Sequence, residues 1–130
     1  MAPGSGDDPW ILVVEEDDDV RQALADVLAF AGHRVRAAED EGAATELLDE
    51  HGVSTVLVLE PRAAMGDVRG LLRAVRLLEE GRPVAVIALA DSAGSGEPPA
   101  YFARLVKPFT MDELLDAVAR AIAAHSPGAP

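Results

Sequence analysis

Short, wholly apolar runs alternate along this chain with segments whose apolar residues recur every three or four positions. Ile11-Leu12-Val13-Val14, Val56-Leu57-Val58-Leu59 and Val84-Ala85-Val86-Ile87-Ala88-Leu89 are runs of strand length. The first is read as part of a buried strand from Trp10 to Glu15, the second as the end of a strand from Val53, and Pro83 opens the third. His33 to Ala38 and Tyr101 to Val106 read as two further strands. Between them lie helical patterns. Asp17, Asp18 or Asp19 can cap a helix with Val20, Leu24, Val27, Leu28 and Ala31 on one face, and Gly32 stands where a helix ends. Glu41 to His51 is a second helix, with Ala44, Leu47 and Leu48 inward and Gly52 after it. Asp67 can cap a third, with Val68, Leu71, Leu72, Val75 and Leu78 inward and Gly81 at its end. Thr110-Met111-Asp112-Glu113 is a capping box that opens a last helix through Leu114, Leu115, Val118 and Ile122. Strands that alternate with helices form a parallel sheet covered on both faces, and continuous apolar strands are what such a sheet needs.

The 130 residues fit one domain. Residues 1–9 and 126–130 are rich in Pro, Gly and Ser and read as flexible tails or linkers, which leaves residues 10–125 for the folded part. Apolar residues make up 49% of the chain and aromatics only 4%, so the core must be aliphatic. The formal charge of −12 argues against nucleic acid or an anionic membrane as a direct partner and suits basic or mixed-charge proteins. Without cysteine there is neither a disulfide framework nor a thiolate metal site. The N-terminus has no basic stretch followed by an apolar run, and no segment approaches membrane-span length, so a cytoplasmic protein is expected. His33, His51 and His125 show no metal-ligand spacing, and Trp10 reads as an edge or core residue.

In a parallel sheet of this kind ligands bind outside the carboxyl ends of the strands. Three such ends carry charge here. The first strand runs into Glu15-Glu16, the third into Glu60, and the fifth into Lys107-Pro108. A flavin-type phosphate site would need a loop of Ser, Thr and Gly after the first strand, but Glu15-Glu16-Asp17-Asp18-Asp19 would repel phosphate. The connection from the fourth to the fifth strand is also unusual. Asp91 to Pro99 is too dense in Gly, Ser and Pro for a helix, so the helix expected there is missing or shortened.

Val13-Val14-Glu15-Glu16-Asp17 followed by Asp19-Val20-Arg21, with Lys107-Pro108-Phe109 before a capped helix, resembles the receiver domain of bacterial response regulators over about residues 10 to 124. The resemblance implies a flavodoxin-like, doubly wound five-stranded parallel sheet in the order 2-1-3-4-5. It also implies phosphorylation of an aspartate at the end of the third strand. An acidic pair after the first strand would hold Mg²⁺, a Ser or Thr ending the fourth strand would bind the phosphoryl group, and an aromatic on the fifth strand would turn inward. The lysine after the fifth strand would neutralise phosphoryl oxygens, and the Lys107–Pro108 peptide is expected to be cis.

Carried over residue by residue, the pattern is degenerate. The acidic pair is Glu15 and Glu16. The acceptor position falls on Glu60, or on Leu59 in a register that the loop Pro61 to Asp67 permits by placing Met65 differently, and neither is aspartate. The hydroxyl position falls on Ala88 and the aromatic position on Arg104. Only Lys107-Pro108 is kept. The leading expectation is therefore an atypical receiver without catalytic residues, cofactor or resident metal. It would act through protein contacts with a sensor kinase, another regulator, an output domain or a second copy of itself. Glu60 is expected to pair with Lys107, and Arg104 to face outward. The alternative is a Mg²⁺-dependent phosphoacceptor with a non-standard acceptor, for which Glu16 and Glu60 (with Glu15) are the metal-ligand candidates.

Overall fold

In a computed structural model of the protein, residues 9–61, 68–79, 83–90 and 101–125 are described. Five strands, β1 (Ile11–Val14), β2 (Val35–Ala38), β3 (Val56–Leu59), β4 (Ala85–Ala90) and β5 (Ala103–Val106), form one sheet in the order β2-β1-β3-β4-β5. Every neighbouring pair is parallel. The described helices are α1 (Asp18–Phe30), α2 (Glu41–His51), α3 (Val68–Leu78) and α4 (Met111–His125). This is the doubly wound sheet that the alternation predicts.

The sheet divides the core in two. Leu12, Val14, Leu57, Leu59 and Val86 point to one side, where they meet Ala44 and Leu48 of α2 and Leu71, Leu72 and Val75 of α3. Ile11, Val13, Val56, Val58, Ile87 and Leu89 point to the other, against Leu24 and Leu28 of α1 and Leu114, Ala117, Val118 and Ala121 of α4. Every residue of β1 and β3 is fully buried, which explains why both strands read as unbroken apolar runs. Burial of one such side chain contributes about 1.5–3 kcal/mol. Trp10 belongs to the core, and its ring meets His51 edge-on with 6.2 Å between centroids.

Caps fix the helix ends. Of three possible aspartates, Asp17 caps α1 by accepting from the Val20 N–H at 3.0 Å. At the other end the His33 N–H donates to the Leu28 carbonyl and the Gly32 N–H to that of Ala29, with Gly32 at φ 100°. That is a Schellman closure, which glycine adopts without steric cost. Thr110 and Glu113 make the reciprocal capping box at 2.8 and 3.0 Å.

Some boundaries differ from the sequence reading. β2, β3 and β5 start two or three residues later than the apolar pattern, because the leading residues belong to loops that enter the sheet. Val20 is 44% exposed and Ala31 is exposed as well, although both fit the apolar face of α1. A 13-residue helix is about 20 Å long and a four-residue strand about 13 Å, so both ends of α1 overhang the sheet. The expected caps Asp67 and Gly81, the loop from Arg62 to Asp67 and the expected loss of helix over Asp91 to Pro99 lie outside the described residues.

Candidate functional site

The register brings four positions into one row across the sheet. Val14 of β1 pairs with Leu59 of β3, Leu59 with Ala88 of β4, and Ala88 with Arg104 of β5. Cα partners in a parallel sheet share a face, so all four lie on the face of the sheet that α2 and α3 cover. Just beyond this row the chain leaves the sheet. The Glu60 N–H donates to the Val14 carbonyl at 2.9 Å, the Glu15 N–H to that of Ala38 at 3.0 Å, and the Lys107 N–H to that of Ala90 at 2.8 Å. These bonds hold Glu15, Glu60 and Lys107 at the carboxyl edge.

The two candidate registers on β3 place different chemistry there. Leu59 is fully buried in the aliphatic core, and its side chain offers no polar atom to the edge. Glu60 is buried too, but its Oε1 accepts a hydrogen bond from Lys107 Nζ, and the two form an ion pair. The Glu60 side chain is 4% exposed and that of Lys107 30% exposed, so the carboxylate is sunk and the ammonium reaches down to it. The Lys107–Pro108 peptide is cis. Ala88, 1% exposed, contributes a methyl group to this corner and no hydroxyl.

The acidic loop after β1 is held by interactions of its own. Glu15 is buried and turns back so that its Oε2 accepts the Asp17 N–H at 2.9 Å. Arg21, one turn into α1, donates from Nη1 to the carbonyls of Glu15 and Glu16 at 2.9 and 3.4 Å, and its Nη2 pairs with Asp18. Glu16 is exposed. Arg21 was not legible as a site residue. The available signal was that it is the first cation after five consecutive acids.

A divalent cation in this corner would need several carboxylates aimed at one point. Glu15 is turned to a backbone N–H, Glu16 lies at the surface, and Glu60 is engaged by Lys107. Among the described residues no three His, Cys, Asp or Glu side chains gather in a metal-holding group. In this arrangement the residues do not fit Mg²⁺.

On β5, Arg104 is half-buried rather than fully outward. Its guanidinium lies 5.6 Å from the centroid of the Tyr101 ring. A flat guanidinium makes favourable contact with an aromatic face, which fits the intermediate burial of Arg104. Burial pushes the Tyr101 phenol above its ordinary pKa, and the positive charge of Arg104 draws it partly back.

The family model for the flagellar regulatory protein FleQ matches residues 10–123. The chain belongs to the FleQ family. Response regulator protein FleR of Pseudomonas aeruginosa is 32% identical to it over 121 residues, which are 91% of this chain and 25% of FleR. The chain thus spans about a quarter of the length of that curated relative. Chemotaxis protein CheY4 of Vibrio cholerae superposes with a TM-score of 0.74 at 20% identity, covering 88% of this chain and 98% of CheY4. NtrX from Brucella abortus gives 0.73 at 24% identity, covering 91% of this chain and 27% of NtrX. This FleQ-family chain has the fold of a response regulator receiver domain, the class of domain that serves two-component signalling. Among the described residues no helix is long and apolar enough to cross a membrane.

Proposed function

We propose that this domain is an atypical receiver that signals by protein contact and does not use phosphoryl transfer. The observation that carries this reading is the buried Glu60 carboxylate, already neutralised by Lys107 at the end of β3. In this reading Glu60 occupies the acceptor position. Lys107 is then committed to a permanent side chain instead of an arriving phosphoryl group. Ala88 and Arg104 support the same reading: the first has no hydroxyl to bind a phosphoryl oxygen, and the second replaces the aromatic that would respond to one. Glutamate supplies one carboxylate where a phospho-aspartate supplies three oxygens, so Glu60 holds the corner in one charge state rather than imitating a phosphorylated residue in full. The domain performs no catalysis and works in the cytoplasm.

The direct partner is a protein rather than nucleic acid, given a chain of net charge −12. It is a sensor kinase, another regulator, or an output region joined to the receiver. FleR and NtrX both extend far beyond the matched quarter of their length, which supports the last of these.

The test is intact-mass measurement after incubation with acetyl phosphate and Mg²⁺, alongside a receiver known to accept phosphate. The domain is expected to gain no phosphoryl adduct while the control does. An adduct that is lost in Glu60→Gln would show the phosphoacceptor alternative to be correct.

A further inference from the structure

Helices α2 and α3 pack side by side on one face of the sheet, and their exposed sides carry opposite charge. α2 contains Glu41, Glu46, Asp49 and Glu50 with no lysine or arginine, and α3 contains Arg69, Arg73 and Arg76 with no acid. Glu46, Asp49 and Glu50 are exposed at helical spacing, and so are Arg69, Arg73 and Arg76. Leu77, 80% exposed, stands among the arginines. The contrast is not a general property of the chain. Residues 62–82 hold five arginines against three acids, a local charge of +2, so the rest of a chain of net charge −12 carries −14.

An acidic partner attracted to α3 would be repelled by the adjacent α2, and a basic partner would meet the reverse conflict. The surface that satisfies both stripes carries the same two in opposite order. A second copy of this domain presents that surface when it is turned about a two-fold axis running along the helices. Both helices return antiparallel to their strands and so point the same way. The rotation therefore lays α2 of each copy on α3 of the other. A two-fold axis across the helices would stack acid on acid and arginine on arginine.

We propose that the α2–α3 face is a homodimer interface, with Glu46 of each copy meeting Arg73 of the other and Leu77 covered at the contact. Arg76 already pairs with Glu79 within the chain, which leaves Arg69 and Arg73 as the outward charges. Both α2–α3 contacts form at once, because the interface is isologous. This inference is independent of the reading of Glu60 and Lys107.

Sedimentation velocity of the full chain at low and high salt tests it, with circular dichroism to confirm that each variant is folded. The wild type is expected to dimerise at low salt and dissociate as salt screens the stripes. Arg73→Glu and Glu46→Arg are each expected to weaken association by about tenfold or more, since each converts two symmetry-related attractions into repulsions. The double variant E46R/R73E restores opposite charges across the axis and is expected to dimerise again. A wild type that stays monomeric at low salt would overturn the proposal. So would unchanged dimerisation of Arg73→Glu, or a double variant no better than the single ones.

Discussion

The Glu60 carboxylate, buried at the end of β3, accepts a hydrogen bond from the Lys107 ammonium beyond the end of β5, 47 residues later in the chain. The pair joins a central strand to an edge strand at the carboxyl side of the sheet. Removing the cation from a buried ion pair is costly, because the carboxylate keeps its desolvation penalty and loses that attraction. Lys107→Met is therefore expected to lower stability by about 2–3 kcal/mol in urea unfolding, below the roughly 3–5 kcal/mol of fully buried pairs because Lys107 keeps some solvent. Glu60→Gln should cost less, since the amide oxygen still accepts from Lys107. A loss under about 0.5 kcal/mol for Lys107→Met, the range of an ordinary surface substitution, would mean that the pair carries no structural weight.

Arg21 has a comparable role on the first strand. It bonds the carbonyls of Glu15 and Glu16 and pairs with Asp18, so one guanidinium fastens the acidic loop to α1. Arg21→Ala should cost about 1–2 kcal/mol and speed amide exchange at Asp17 to Val20. Arg21→Lys should recover little of this, because a single ammonium does not span the same acceptors. Unchanged exchange in Arg21→Ala would show that the loop holds itself.

Tyr101 gives a titration that can be followed directly, as it is the only tyrosine in the chain. Burial raises its pKa above 10.0 and Arg104 opposes the rise. Absorbance at the phenolate band should therefore report ionisation at higher pH than for free tyrosine, and Arg104→Gln should move it higher still. The sign for stability follows from proton binding: above the unfolded pKa the folded state holds the proton more tightly than the unfolded chain. The contribution of Tyr101 is complete below about pH 10 and is lost as pH rises through the folded pKa. A downward move in Arg104→Gln would contradict the stacked arrangement.

The fold was legible because local and long-range signals agree. The apolar runs at β1 and β3 are continuous because both faces of those strands are covered, and Gly32 and the Thr110–Glu113 box mark helix ends by chemistry that depends on nearby residues alone. The Glu60–Lys107 contact was also legible, since the strand ends of a parallel sheet converge on one edge. What was not legible depends on directions that spacing does not give. Nothing in the sequence says that Glu15 turns back to the Asp17 N–H, that Arg21 reaches two carbonyls, or that Arg104 lies on Tyr101 instead of facing solvent. Val20 shows the same limit, because helical periodicity does not record where a helix overhangs its sheet.

At the corner between β1, β3 and β5 the Glu15 carboxylate is engaged by the Asp17 N–H and the Glu60 carboxylate by Lys107. Backbone amide spectra of the isotopically labelled chain, titrated first with Mg²⁺ and then with beryllofluoride, test this arrangement most directly. Only small, non-saturating changes are expected at Glu15, Glu16, Glu60 and Lys107. Saturating shifts at those amides, spreading to Ala88 and Arg104 when beryllofluoride is added, would contradict it.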